Sequence, residues 1–483
     1  MVMHQNQRGM VDTCFEEGQY ESGIALLDQL RSPRHRPFQP HIRQLIYIAL
    51  YPPPPADTKE TETLQLDSAS PSKLHSRLHC IQHGSSQSPS PAATDAALHL
   101  LTAFSLTNLP WDLFSALPSY PASALGSPKT EIDYDDPESF VARRSVCITK
   151  AKNVWEILKE GFVQRKEDPI AMSPVKKGRR RAIVEEPPED SSVDREPRRV
   201  VGQYSWPILG WLLSIFEKDE KLAEDNAQPR YSSFLLSQIP PPRTKTDARW
   251  DVEAPLDIVM YCLEQTHPQQ ALMGARLLAL LINLASTTFI DFPMFLNALG
   301  SRIVSLQSEQ VASLFAMLPQ SKNVMQFKLT LCKNYLAGSS ETASRPKLQA
   351  RAPRPVPARR KPAGPLSVES SKSSTPALSY ASGPVSRKYP TFTASEVLEL
   401  VNAARSQDQS SDELALRMKW ELVLTYALLQ KQAGPGTAGA EWQIMLRDGR
   451  VVEALKASAG DGFTATGGIS VQSMQQILSV FLA

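Results

Sequence analysis

The sequence predicts an all-α protein, in which helical-repeat-like or bundle domains are joined by disordered linkers rich in Pro, Ser and Arg. In the segments that are rich enough in apolar residues to form a packed core, these residues recur every three to four positions. This spacing is the period of an amphipathic helix. No segment alternates apolar and polar residues over the length of a β-strand. The 39 prolines among 483 residues indicate that long parts of the chain lie between packed domains.

The first predicted unit, residues 7–51, contains three short helices. They are expected at residues 10–17, 21–31 and 41–51. Gly18 ends the first helix, because glycine readily adopts the left-handed conformation that closes many helices. The prolines at 52–55 end the unit, since proline lacks the backbone N–H that a helix interior requires.

The segment Cys14–Ile42 has an acidic-glycine turn, an amphipathic second helix and a proline before the next helix. In these features it resembles a helical hairpin of the tetratricopeptide or pentatricopeptide kind. The resemblance implies stacked antiparallel helices. A second copy does not follow at the period of about 34 residues that a repeat array would show.

The rest of the chain divides at changes in composition. Residues 52–91 form a low-complexity loop, and residues 92–166 continue the N-terminal unit with helices at 92–106 and 139–166. The charged linker 167–202 has too little apolar surface to offset the entropy of ordering. A central helical domain (203–337), a second linker (338–390) and a C-terminal helical unit (391–483) follow. Their helices are expected at residues 256–265, 269–285, 293–303, 309–317, 324–336, 412–431, 442–455 and 471–481. Thr393 and Glu396 form a capping box that begins a further helix.

Composition excludes several classes of protein. The net charge is +2, so overall charge indicates no partner. The five cysteines are scattered without a CxxC pair, which favours a reducing compartment over a disulfide framework. The N-terminus is polar and lacks the features of a signal peptide. The longest apolar stretch, 271–285, is shorter than the roughly 20 residues that cross a bilayer. We therefore expect an intracellular protein without membrane contact.

The sequence contains no motif of a hydrolase, kinase, phosphate-binding loop or metalloprotease, and we expect neither catalytic residues nor a cofactor. The residues best suited to bind a metal are His75, His79 and His83. On a helix these histidines share one face, which is a good geometry for Zn²⁺. They define the alternative hypothesis of a metal-dependent enzyme.

A compact basic cluster lies in the first linker, where a nuclear import receptor could bind it. It consists of Lys176, Lys177, Arg179, Arg180 and Arg181. Ser173, which precedes Pro174, is a candidate phosphorylation site that would place about two negative charges beside the cluster. The alternative is a solvated run of charge that keeps the linker extended. We expect nuclear import and hence a nuclear localisation.

Two further linker segments are candidate binding motifs. Ile183, Val184, Glu185 and Glu186 resemble a SUMO-interacting motif, whose apolar residues add an edge strand to SUMO while the acids contact its basic rim. The other segment is a basic arm in the second linker, which could neutralise phosphates of DNA or RNA without sequence preference. Its cations include Arg351, Arg354, Arg359, Arg360 and Lys361. A basic solvated linker is the alternative for this arm.

Taken together, these features predict a nuclear scaffold or adaptor that binds other proteins through helical surfaces. The expected setting is a chromatin, genome-maintenance or transcription assembly. A SUMO-linked structural-maintenance-of-chromosomes complex is one hypothesis within that class, by analogy. A nucleic-acid-binding module that uses the basic arm is the second alternative, beside the metal-dependent enzyme.

Overall fold

The computed structural model describes residues 3–53, 88–120, 139–163, 199–242, 248–341, 389–403, 409–433 and 437–459. These residues are mostly helical, which confirms the all-α prediction. Within these ranges there is no β-strand, and Arg249 and Ile290 form one isolated parallel bridge. The chain divides into two compact units, Met1–Ile303 with Ser313–Pro319 and Val304–Ala312 with Gln320–Ala483.

Twelve helices are described in the first unit. They are α1 (Gln5–Glu16), α2 (Tyr20–Gln29), α3 (Gln39–Ala49), α4 (Pro91–Thr107), α5 (Pro110–Phe114), α6 (Phe140–Lys150), α7 (Val154–Leu158), α8 (Trp206–Asp225), α9 (Ser233–Ser237), α10 (Glu253–Leu263), α11 (Pro268–Ala285) and α12 (Phe292–Ile303). Helix α13 (Ser308–Met317) divides between the two units. The described helices of the second unit are α14 (Lys322–Glu341), α15 (Ala394–Asn402), α16 (Gln409–Ala433), α17 (Thr437–Arg447) and α18 (Arg450–Ala459).

Helices α1, α2 and α3 occupy the segment that resembles a helical hairpin. Gly18 follows α1 with a φ of 74°, as the sequence predicts for the residue that ends this helix. Gly23 of α2 packs directly on Phe15 of α1, and a Cβ atom at this glycine would lie 2.6 Å from the phenyl ring. Helix α3 then packs against α4 and α6, and its side chains Ile42, Leu45 and Ile46 are fully buried.

Two predicted helices are broken in the structure. The prediction of one continuous helix over 139–166 is wrong, because α6 ends at Lys150 and α7 begins at Val154. The break arises because the Asn153 side chain accepts a hydrogen bond from the Glu156 amide, as an N-cap does. The helix predicted over 442–455 is interrupted at Gly449, whose φ is 71°, and α17 and α18 lie on either side of it. The helix predicted over 471–481 lies outside the described residues.

Residues 199–202, which the sequence assigns to the first linker, belong to the packed structure. The Arg199 carbonyl accepts a hydrogen bond from the Glu160 amide, and the Gly202 amide donates to the Leu158 carbonyl. Val201 between them is completely buried. The predicted linker therefore extends too far towards α8, because these backbone partners lie about 40 residues earlier in the chain and leave no local pattern.

Helix α8 lies at the centre of the first unit, where it contacts α4, α5, α7, α9 and α11. Its indole at Trp211 donates a hydrogen bond of 2.9 Å to the Leu101 carbonyl of α4. Its buried Glu220 accepts hydrogen bonds from Asn283 (2.8 Å) and Arg230 (3.1 Å). Burial raises the pKa of Glu220, and the Arg230 charge and these two hydrogen bonds oppose that shift. The helix is thus fixed by polar contacts as well as by apolar packing.

A buried glutamine joins three separate segments of the first unit. The Gln238 side chain accepts a hydrogen bond from the Val154 amide (2.8 Å) and donates one to the Pro118 carbonyl (3.0 Å). Its backbone carbonyl accepts a hydrogen bond from the Trp155 indole (3.2 Å). Because Gln238 is fully buried, no solvent is available to replace these partners.

The second unit is built around α14 and α16, which pack along much of their length. Helix α15 begins with the predicted capping box, in which the Glu396 amide donates to Thr393 Oγ1 and Glu396 accepts from the Thr393 amide. Tyr426 of α16 packs edge-to-face on Trp442 of α17, with ring centroids 4.9 Å apart. Local sequence signals thus place this helix start, while aromatic packing joins α16 to α17.

Candidate interaction surface at the α4–α5 corner

Three large apolar side chains lie exposed where α4 meets α5. The exposed fractions are 78% for Leu106, 58% for Leu109 and 61% for Trp111. Single exposed apolar residues are common on protein surfaces, whereas larger apolar patches mark binding sites, and these three residues lie within six positions of the chain. We call these three residues the corner surface.

The backbone of the corner follows from its sequence. Asn108 ends α4 in an extended conformation, with φ −107° and ψ 163°. Leu109 is also extended, as expected for a residue that precedes proline. Pro110 then begins α5, since the first position of a helix needs no backbone N–H. This sharp change of direction turns Leu109 and Trp111 outwards, while Leu113 and Phe114 of α5 are buried.

Hydrogen bonds from two sides hold the corner in place. The Asn108 side-chain amide donates to the carbonyls of His35 (2.9 Å) and Ser32 (3.3 Å) in the loop before α3. The ammonium of Lys218 on α8 donates to the carbonyls of Asn108 (2.8 Å) and Ser105 (2.9 Å). A cation at these carbonyls also complements the negative end of the α4 dipole. Desolvation by burial lowers the pKa of this lysine.

Aromatic contacts fix the indole of Trp111 from below. The ring centroid of Trp111 lies 5.9 Å from that of Phe234 on α9. The Phe234 ring in turn stacks on the ring of Phe114, with 4.3 Å between their centroids. The Asp219 carboxylate caps the start of α9 by accepting hydrogen bonds from Ser232, Ser233 and the Phe234 amide. The exposed indole therefore rests on an ordered support, which lowers the entropy cost of binding a partner.

A basic loop borders the corner surface. The loop, residues 31–36, contains Arg31, Arg34, His35 and Arg36. Arg36 forms an ion pair with Asp112 of α5, with 3.0 Å between Nε and Oδ1. The Arg36 side chain is 64% exposed, whereas that of Asp112 is 9% exposed. The Arg36 guanidinium thus faces solvent beside the corner surface, and the carboxylate of its partner, Asp112, is covered.

All candidate site residues from the sequence analysis lie outside the described residues. This applies to the nuclear-import cluster, Ser173, the SUMO-interaction candidate, the basic arm of the second linker and the three histidines. Within the described ranges, no group of three or more His, Cys, Asp or Glu side chains is placed to hold a metal ion. No helix in this part of the chain is both long and apolar enough to span a membrane.

The corner surface was not predicted from the sequence, although the sequence contains one signal for it. Buried positions on α4 recur at Ala93, Ala97, Leu101 and Phe104, which is a helical period. Leu106 falls about 200° around the helix from Phe104 and so lies on the opposite face. An aliphatic residue out of phase, followed by Asn-Leu-Pro-Trp, indicates an exposed apolar turn.

Comparison with known proteins does not identify a relative. No protein-family model, no curated protein and no solved structure matches the chain.

Proposed function

We propose that this protein is a non-enzymatic scaffold or adaptor that binds other proteins through its helical surfaces. The observation that supports this proposal most is the corner surface of Leu106, Leu109 and Trp111. A few anchor side chains contribute most of the energy at protein interfaces, and Trp is among the residues most enriched at such positions. The polar loop beside it supplies the kind of rim that surrounds an interface core.

The apolar contacts of this surface can be tested with the variant Leu109→Ser/Trp111→Ser. We expect co-purifying proteins to fall about tenfold or more in abundance, because hot-spot truncation costs 2 kcal/mol or more. The measurement is affinity purification of the full chain from its own cells with quantitative mass spectrometry. Both side chains are exposed, so the thermal unfolding midpoint should stay close to that of the wild type.

The matched control is Met294→Ser/Ile444→Ser, which removes two exposed apolar side chains elsewhere. This control should retain the partners of the wild-type protein. An unchanged set of partners with Leu109→Ser/Trp111→Ser would contradict a binding role for the corner surface.

We further propose that the scaffold acts in the nucleus, in a chromatin, genome-maintenance or transcription assembly. This part of the proposal depends on the basic cluster at residues 176–181 of the sequence. Short, dense basic clusters are the signals that import receptors bind. The second cluster at residues 351–361 has a looser spacing of cations and offers a comparison.

Neutralising the cations of the 176–181 cluster is expected to reduce nuclear accumulation. Replacement of all five with alanine should lower the nuclear-to-cytoplasmic ratio of a fluorescent fusion by at least about threefold, because the receptor binds through these charges. Fluorescence imaging of living cells measures the ratio. In the control, the five cations at residues 351–361 are replaced with alanine, which removes the same amount of positive charge. If the first variant stays nuclear, this cluster is not the import signal.

A further inference from the structure

We propose that the corner surface, together with Arg34 and Arg36, binds a short acidic segment of a partner protein whose apolar residues anchor on Leu106, Leu109 and Trp111. The inference rests on the proposed function and adds the chemistry of the partner. It predicts a segment with a few apolar anchors flanked by Asp or Glu. Short amphipathic segments of this kind bind grooves and corners of helical proteins through a small number of anchor residues.

The charge at the rim favours an acidic partner. Arg34 and Arg36 are both exposed, and they lie in the loop that Asn108 binds through the carbonyls of Ser32 and His35. Asp112 of α5, which lies beside them, has a largely covered side chain that forms an ion pair with Arg36. The exposed charged side chains of this loop, Arg34 and Arg36, are therefore both cationic. Guanidinium groups bind carboxylates with two parallel hydrogen bonds, which makes arginine well suited to this role.

The position of Arg36 is set before a partner arrives. Its Nε atom contacts Asp112 Oδ1 at 3.0 Å, and Asp112 belongs to the same short helix as Trp111. This ion pair joins the basic loop to the apolar corner, so a cation and an indole are presented at a fixed spacing. Pre-organisation of this kind reduces the ordering cost on binding.

The same features fit nucleic acid less well. An exposed tryptophan beside arginines could stack on a base, but Leu106 and Leu109 are aliphatic and offer no stacking face. Trp111 also packs against Phe234. Aliphatic anchors with a carboxylate-binding rim favour an acidic peptide, and nucleic acid becomes an outcome of the test.

Selection from a random peptide display library, with peptides of about 12 residues, tests the inference on the full-length chain. The wild type should enrich peptides that combine apolar residues with a net negative charge. The strongest of these should bind Arg34→Glu/Arg36→Gln at least about tenfold more weakly, because the change removes two cations that complement the peptide's carboxylates and adds one anion that repels them. Fluorescence anisotropy of the labelled peptide gives the affinities.

The matched control is Arg143→Glu/Lys152→Gln, which makes the same change of charge at exposed positions around α6. This control should bind the peptide as the wild type does. We call Arg34→Glu/Arg36→Gln the rim variant. If the rim variant unfolds at a lower temperature than the control, the peptide affinity of Arg34→Gln is measured instead, since that change leaves the Arg36–Asp112 pair intact.

Three results would overturn the inference. They are the enrichment of neutral or basic peptides, equal peptide affinity for the rim variant and the wild type, and binding of a mixed-sequence single-stranded DNA that the rim variant abolishes. These results are distinguishable from failure of the proposed function. If Leu109→Ser/Trp111→Ser loses its cellular partners while the selected peptides are not acidic, the scaffold role stands and the acidic specificity is wrong.

Discussion

Replacing Gln238 with alanine is expected to lower the free energy of unfolding of the first unit by about 3 kcal/mol. The change removes the buried partner of the Val154 amide and of the Pro118 carbonyl. Each buried polar group without a partner costs about 1–3 kcal/mol. The loss of side-chain volume at a fully buried position adds to this cost.

Urea unfolding, followed by circular dichroism, measures the effect, and hydrogen exchange locates it. The Val154 amide should exchange faster in Gln238→Ala, because its hydrogen bond is lost. Gln265→Ala is the matched control, since that half-buried side chain donates only to the Tyr261 carbonyl, four residues earlier in the chain. A Gln238→Ala variant within about 1 kcal/mol of the wild type would show that the three segments are held by other contacts.

Glu421→Leu is expected to destabilise the second unit by about 3 kcal/mol at pH 7. Glu421 of α16 and Lys328 of α14 are both buried. Burial raises the pKa of Glu421 and lowers that of Lys328, and the charge of each residue opposes the shift of the other. Removing one charge of a buried, mutually attracting pair typically costs 3–5 kcal/mol, because the remaining charge keeps its desolvation cost and loses that attraction.

The double variant Lys328→Met/Glu421→Leu should recover the lost stability. Apolar replacement of both members of a buried charge pair is often neutral or stabilising by about 1–4 kcal/mol, because both desolvation costs disappear. Chemical unfolding of both variants gives the comparison, and Glu413→Leu on the exposed face of α16 is the control. A double variant less stable than Glu421→Leu would contradict this explanation.

Much of the secondary structure was predictable from the sequence, because its signals are local. The helix predicted at 269–285 is observed as α11 (Pro268–Ala285), and the Thr393–Glu396 capping box begins α15. Apolar periodicity and capping depend on residues within one or two turns of each other. The breaks at 151–153 and at Gly449 were missed, because a periodic apolar pattern continues on both sides of each break.

The grouping of helices and the candidate surface were decided by contacts between distant residues. Gln238 bonds to Pro118, and Asn108 bonds to His35, across separations of 120 and 73 residues. The sequence alone determined that this chain forms helices and where several of them begin, because those preferences are set by neighbouring side chains. Only the tertiary structure decided that Leu106, Leu109 and Trp111 stay exposed beside Arg36, because burial depends on which segments pack together.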